Sequence, residues 1–338
     1  MTSKSGLKSN SKAKPGLHSR NQHRFGYNFD ALIEASSSLK AYVRDNGYGQ
    51  LSIDFANPEA VIELNKALLK LYYSVQNWHI PADNLCPPVP GRADYLHHLA
   101  DLLAEDSGKG YPVGQSIQIL DVGVGANCIY PLIGQSEYGW KFIGSDIDKA
   151  SLDNAQKVIE SNPGMQHQIE LRHQNRKQHV FESIIQTGDY IDLTLCNPPF
   201  HDSAATAAAG SIRKQTNLSK KVIEHPQLNF GGKHTELWCD GGELAFIKKM
   251  IVESQSYRNQ VYFFTSLVSR KANIPLLLKA LKKSGVDLHR VVDMQQGNKQ
   301  SRFIAWTFLT RQQRSDWRKN KWKTQIINEA SGSKPHCN

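Results

Sequence analysis

The chain has 338 residues, of which 39% are hydrophobic and 21% charged, and its formal net charge is +10. That length supports a full α/β core with added elements, and no apolar run is long enough for a membrane span or a secretory signal. The five cysteines (86, 128, 196, 239 and 337) are widely spaced and lack a Cys-x-x-Cys pair, which argues against a disulfide framework or a zinc knuckle and points to a reducing cytoplasm.

The charge sits at the ends. Residues 1–24 carry Lys4, Lys8, Lys12, Lys14, Arg20 and Arg24 with no acid, and residues 311–323 carry six basic residues against Asp316 alone. Basic ends on a near-neutral body fit a polyanion held by flexible arms. Residues 1–25, polar and without periodicity, read as a disordered basic leader. Residues 26–110 read as an N-terminal helical module. Asn57-Pro58-Glu59 predicts a helix start with proline at its first position, and Val61, Leu64, Leu68, Leu71 and Tyr72 follow at helical spacing. The proline-rich run Cys86–Tyr95 predicts a stiff loop before a second helix through Leu103. His97 and His98 on that helix cannot both face one metal and read as surface residues.

Residues 111–310 alternate strand and helix signals. The run Ser116–Asp121 predicts a buried strand, and Gly123 and Gly125 then allow a sharp turn with close backbone approach to a ligand. Position 128 is Cys where a dinucleotide fingerprint would have its third glycine. A second strand, Trp140–Asp146, ends in a carboxylate able to accept both hydroxyls of a ribose. A third, Ile191–Cys196, runs into Asn197-Pro198-Pro199-Phe200. Two prolines fix φ and remove two donors, leaving an amide, bare carbonyls and an aromatic ring at a strand tip. Such a turn suits an amino group on a flat ring. The amide oxygen and a proline carbonyl accept its two N–H bonds while Phe200 covers the ring face. Together with the glycine turn and Asp146, this order of motifs points to S-adenosylmethionine and amino-group methylation.

The stretch 201–240 resists assignment and lies where it could cover a substrate base. Beyond it come a helix from Glu243, a strand Val261–Leu267, a helix Pro275–Lys283, and strands near Val286–Met294 and Phe303–Leu309 that read as an antiparallel pair closing a mostly parallel sheet. Residues 311–338 read as a basic tail whose Trp317 and Trp322 either stack on bases or fold back on the core.

The run from about Tyr27 to Leu309 resembles the bacterial 23S rRNA adenine-1618 N6-methyltransferases, whose wider group includes the eukaryotic U6 snRNA adenine methyltransferases. The match is carried by Pro87-Pro88-Val89-Pro90-Gly91-Arg92-Ala93-Asp94-Tyr95, by Asp121 through Pro131, by Asn197-Pro198-Pro199-Phe200 and by Asp240-Gly241-Gly242-Glu243. The resemblance implies a class I Rossmann-like fold, a mostly parallel seven-stranded sheet with an N-terminal helical extension. It implies S-adenosylmethionine as methyl donor without a metal, and N6-methyladenosine in 23S ribosomal RNA, free or in a ribosome assembly intermediate, as product. Arg92 would then bind the methionine carboxylate, Gly123 and Gly125 the methionine portion, and Asp146 the ribose, with Asp121 and Asn197 completing the cofactor-binding set. The catalytic set would be Asn197, Pro198, Pro199 and Phe200. No sequence pattern demands an obligate protein partner. Two other readings of the same residues stay open: a glutamine-amide protein methyltransferase, and an RNA-binding assembly factor without catalysis.

Overall fold

The structure, a computed structural model, describes residues 16–105, 110–199, 239–296, 299–322 and 326–327. Four apolar runs build its centre: β4 (Gln118–Val122), β5 (Lys141–Asp146), β7 (Ile191–Cys196) and β8 (Val261–Leu267). All six residues of β7 are buried, as a strand covered on both faces requires. With β6 (Ile169–His173), β9 (Leu288–Gln296) and β10 (Lys299–Thr307) they form a seven-stranded sheet in the order β6-β5-β4-β7-β8-β10-β9. The strand pairs from β6 to β8 are parallel, and β10 runs antiparallel to both β8 and β9. The order reverses between β4 and β7, so a crevice opens at the carboxyl ends of those two strands.

Helices cover the sheet: α4 (Ile129–Tyr138), α5 (Lys149–Glu160), α6 (Gly242–Ser254) and α7 (Ile274–Lys283). No crossover helix joins β6 to β7; residues 174–190 make the connection as turns. The loop is held by Glu253 of α6, whose carboxylate accepts the backbone N–H groups of Val180, Phe181 and Glu182 at 2.7–2.9 Å.

The N-terminal part contributes α1 (Phe29–Ala35), the hairpin β1 (Val43–Asp45) and β2 (Leu51–Ile53), α2 (Pro58–Tyr73) and α3 (Val89–Glu105). The start of α2 is as predicted: Asn57 Oδ1 accepts from Glu59 N at 3.0 Å and Ala60 N at 3.4 Å, with Pro58 next in the chain. Leu64, Leu68, Leu96 and Leu99 belong to the same hydrophobic cluster as Ile117, Phe142 and Phe303, so the N-terminal helices and the sheet share one core. No helix among the described residues is long and apolar enough to cross a membrane.

Four expectations are corrected. The stiff loop ends at Pro88, not Tyr95: the Pro88 carbonyl accepts from Gly91 N and Arg92 N, so Arg92 lies in the first turn of α3. The disordered leader does not extend to residue 25. Residues 16–25 form a strap on α3 and α4, in which Leu17, Asn21 and His23 are buried and the Arg20 guanidinium pairs with Asp101 at 2.5 Å. Residues 311–322 are not a flexible arm either, and of the two readings of Trp317 and Trp322 the fold-back on the core holds. The short β3 (Tyr111–Pro112) leads into the sheet and pairs with β11 (Ile326–Ile327), and α8 (Arg311–Lys321) docks against the amino-terminal edge of β7. Trp317 and Trp322 both donate to Asp192 Oδ1 at 2.7 Å and are therefore turned toward the protein. His97, finally, is not a surface residue; it is 1% exposed with Nδ1 2.5 Å from the Tyr138 hydroxyl.

Candidate active site

The glycine turn after β4 is shaped by its neighbour strand. Gly123 N and Val124 N donate to the Ser145 carbonyl at 2.8 and 3.0 Å, and Gly125 N donates to Asp146 Oδ2 at 2.9 Å. Gly123 has φ +79°, and a Cβ built there would meet no protein atom within 4 Å. Open space therefore faces the turn, where a ligand can rest against bare backbone. Cys128, which caps α4, also adopts a left-handed conformation, φ 50°, and is fully buried. A non-glycine residue there holds modest strain that the surrounding core sustains.

This turn borders a cavity of about 790 Å³. Arg92, Gly123, Gly125, Asp146, Asn197 and Pro199 all line it, so the carboxyl ends of β4, β5 and β7 and the first turn of α3 meet at one place. Pro198 is buried behind the Asn197 turn. Phe200 and the 201–238 part of the segment expected to cover a substrate base lie outside the described residues. The volume falls in the range of about 300–1,000 Å³ typical of small-molecule sites and leaves room for a nucleoside cofactor together with a flipped base.

Among the described residues, Arg92 Nε and both Asp121 carboxylate oxygens are buried without a hydrogen-bond partner. Arg92 Nη1 donates to the Tyr130 hydroxyl at 2.7 Å, but its Nε has no partner. Asp121, 1% exposed, has no hydrogen bond to either carboxylate oxygen. It does not fix the glycine turn; Ser145 and Asp146 do. Burial pushes the Asp121 carboxyl well above the ordinary carboxylate range, and the neighbouring Asp146 charge adds to this while Arg92 opposes it. Asp146 is raised as well, chiefly by burial, although its oxygens accept from Gly125 N and Asp148 N, each at 2.9 Å. A cation with a donor left over and a buried acid within its electrostatic reach fit the two ends of a zwitterion such as an amino-acid group.

The far wall was not legible in the sequence. Gln174, Lys177, His179 and Val180 reach the cavity from the Glu253-held loop, and Phe246 and Lys249 from α6. Arg172, in β6, pairs with Glu170 and Asp189 at 2.6 and 2.5 Å.

One group among the described residues has spacing suited to a metal: His18, His98 and Asp101, with ligand atoms within 4.8 Å. Its hydrogen bonds make it a clamp instead. His18 Nδ1 accepts from Arg20 N at 3.1 Å, which leaves the proton on Nε2, directed at Asp101 Oδ2 at 2.8 Å. A metal would need that nitrogen bare.

Comparison with known proteins agrees with this architecture. Residues 11–310 match a family described as RNA methyltransferase. A protein of Flavobacterium psychrophilum named Ribosomal RNA large subunit methyltransferase F is 50% identical over 305 residues, covering 90% of this chain and 97% of the relative. The protein of the same name from Salmonella newport is 54% identical, covering 89% and 96%. Among solved structures, the human Mettl16 catalytic domain in complex with MAT2A 3′UTR hairpin 6 superposes with a TM-score of 0.72 at 26% identity, over 92% of this chain and all of that one.

Proposed function

This chain belongs to the RNA methyltransferase family, and from that membership we propose that it methylates N6 of a single adenine, adenine-1618, in 23S ribosomal RNA with S-adenosylmethionine as donor. The observation that carries the reading is the meeting of the Asn197 turn with the glycine turn, Arg92 and Asp146 in one cavity, with the buried Asp121 just before the glycine turn. The names of the relatives support ribosomal RNA as the substrate class. The partner is 23S rRNA, free or within an assembly intermediate.

The residues divide the work by position. Arg92, on the cavity wall, would hold the carboxylate of the methionine portion, and the buried Asp121 would favour its ammonium, whose charge would in turn favour the ionised acid over the neutral one. Bare backbone at Gly123 and Gly125 lets that portion lie close, and Asp146 accepts from ribose hydroxyls with the lone pairs left after Gly125 N and Asp148 N. The cofactor when bound supplies an electrophilic methyl on a sulfonium. Asn197 Oδ1 and the Pro198 carbonyl accept the two N–H bonds of the adenine amine, which turns its lone pair out of the ring plane and toward the methyl. No strong base is required, because the amine loses its proton readily once alkylated. Phe200 stacks on the flipped base, and such stacking contributes about 1–3 kcal/mol toward the cost of unstacking.

The direct test is transfer of labelled methyl from S-adenosylmethionine to protein-free 23S rRNA and to assembly intermediates, followed by nucleoside analysis. N6-methyladenosine at one position is expected. Label on neither RNA form, or on release-factor glutamine instead, would overturn the reading.

Residues 1–15 carry Lys4, Lys8, Lys12 and Lys14 and are proposed to contact RNA phosphates. Deleting them is expected to weaken RNA binding and to flatten its log–log salt dependence by about 0.7 for each phosphate they neutralise. An unchanged slope would remove the leader from the interface. Arg20 stays out of this count, since Asp101 already holds its guanidinium.

A further inference from the structure

The strap of residues 16–25 crosses the first turns of α3, and one buried side chain bridges the residues around Arg92. Asn21 is 0% exposed. Its Nδ2 donates to the Pro90 carbonyl at 3.0 Å and to Asp94 Oδ1 at 3.1 Å, while its Oδ1 accepts from His23 N at 3.0 Å. Asp94, itself buried, also accepts from His18 N at 2.8 Å. Pro90 stands two residues before Arg92 and Asp94 two after it. Arg20 extends the same attachment, donating to the His97 carbonyl at 2.8 Å and to Asp101 at 2.5 Å.

Arg92 itself is held less completely. Its side chain makes one hydrogen bond among the described residues, to Tyr130, and the residue lines the cavity while its buried Nε has no partner there. The aim of the guanidinium therefore depends on where the first turn of α3 sits. From within the chain the turn is closed by the Pro88 carbonyl, and Asn21 is the side chain that ties Pro90 to Asp94 from outside. A guanidinium recognises a carboxylate through a rigid, directional fork, so a small displacement of its backbone loses much of the bond.

We infer that Asn21 is a positioning residue for the cofactor carboxylate: by bracing Pro90 and Asp94 it fixes the helical turn that aims Arg92 into the cavity. The inference rests on the proposed cofactor site and adds to it a residue from the segment that composition marks as a basic leader. It separates two effects at the site. Ligands that carry the amino-acid end should sense Asn21, and ligands that lack it should not.

The test compares binding of S-adenosylhomocysteine and 5′-methylthioadenosine, which lacks the amino-acid end, by calorimetry with the full chain. Arg92→Ala is expected to weaken S-adenosylhomocysteine by about 10- to 100-fold and to leave 5′-methylthioadenosine within about twofold. Asn21→Ala should weaken the first ligand by about fivefold or more, spare the second, and add nothing in the Arg92→Ala background. Asn21→Asp keeps the acceptor for His23 N, removes both donors and sets a second carboxylate beside Asp94. It should show the same selectivity with a larger loss, and it serves if the alanine variant folds poorly. Equal loss on both ligands, loss on neither, or full additivity with Arg92→Ala would overturn the role of Asn21. If Arg92→Ala itself weakens both ligands alike, the carboxylate site is wrong and the Asn21 role falls with it.

Discussion

Alanine at position 197 is expected to lower methyl transfer by at least about 100-fold while cofactor affinity stays within about threefold. Losing one hydrogen bond to the amine costs about 1–3 kcal/mol, or roughly 10- to 100-fold in rate, and loss of aim at the methyl adds to it. The substitution should be tolerated by the fold. Asn197 is only half-buried, and the residues that shape the turn are its neighbours, the buried Cys196 and Pro198. Single-turnover kinetics with saturating cofactor would measure the chemical step, and calorimetry with S-adenosylhomocysteine the affinity. Asn197→Asp is informative beside it, because a carboxylate still accepts both N–H bonds and should retain more activity than alanine. An alanine variant within about tenfold of the wild-type rate would remove Asn197 from the amine-binding role.

The central elements were legible because their signals are local. A mostly apolar run marked Ile191–Cys196 as a buried strand to the residue, and Asn57 before Pro58 marked the start of α2. The glycine turn and Asp146 declared a ligand edge because their spacing places both at carboxyl ends of neighbouring strands. What failed depended on partners distant in sequence. Arg314 and Lys321 read as part of a flexible basic arm for a polyanion, yet Arg314 pairs with Asp287 at 2.9 Å and Lys321 with Asp192. Nothing near position 314 announces an acid on another element. The strap at 16–25 was hidden in the same way, since its buried Asn21 and His23 sit in a polar stretch that follows a lysine-rich one. The cavity's far wall carries no motif because it is made by a loop whose backbone N–H groups are held by Glu253, 73 residues beyond Val180. Composition reports mean polarity, and a few satisfied polar contacts suffice to bury a segment that composition alone would leave in solvent.

The largest stability effect is expected at Asp192, where alanine should cost about 3–5 kcal/mol. This carboxylate is 0% exposed and collects donors from separate parts of the chain. Gln118 N approaches Oδ2 at 2.7 Å, Trp317 Nε1 and Trp322 Nε1 both approach Oδ1 at 2.7 Å, and Lys321 Nζ pairs with Oδ2 while also donating to the Ser116 carbonyl at 2.8 Å. Removing the acid strands a half-buried ammonium and leaves two indole N–H groups without their acceptor, so the penalty exceeds that of one lost bond. Lys321→Ala should cost less, about 1–2 kcal/mol, because Asp192 then keeps both tryptophans and Gln118. Urea unfolding would measure both, and trypsin would report whether α8 leaves the sheet by cutting at Arg311, Arg318 or Lys319. Turnover below the unfolding transition should be nearly unchanged, since Asp192 and Asn197 stand five residues apart on an extended strand, about 17 Å. A loss under about 1 kcal/mol would mean that α8 is held by its apolar contacts alone, and a fall in kcat with intact stability would mean that the two ends of β7 are coupled.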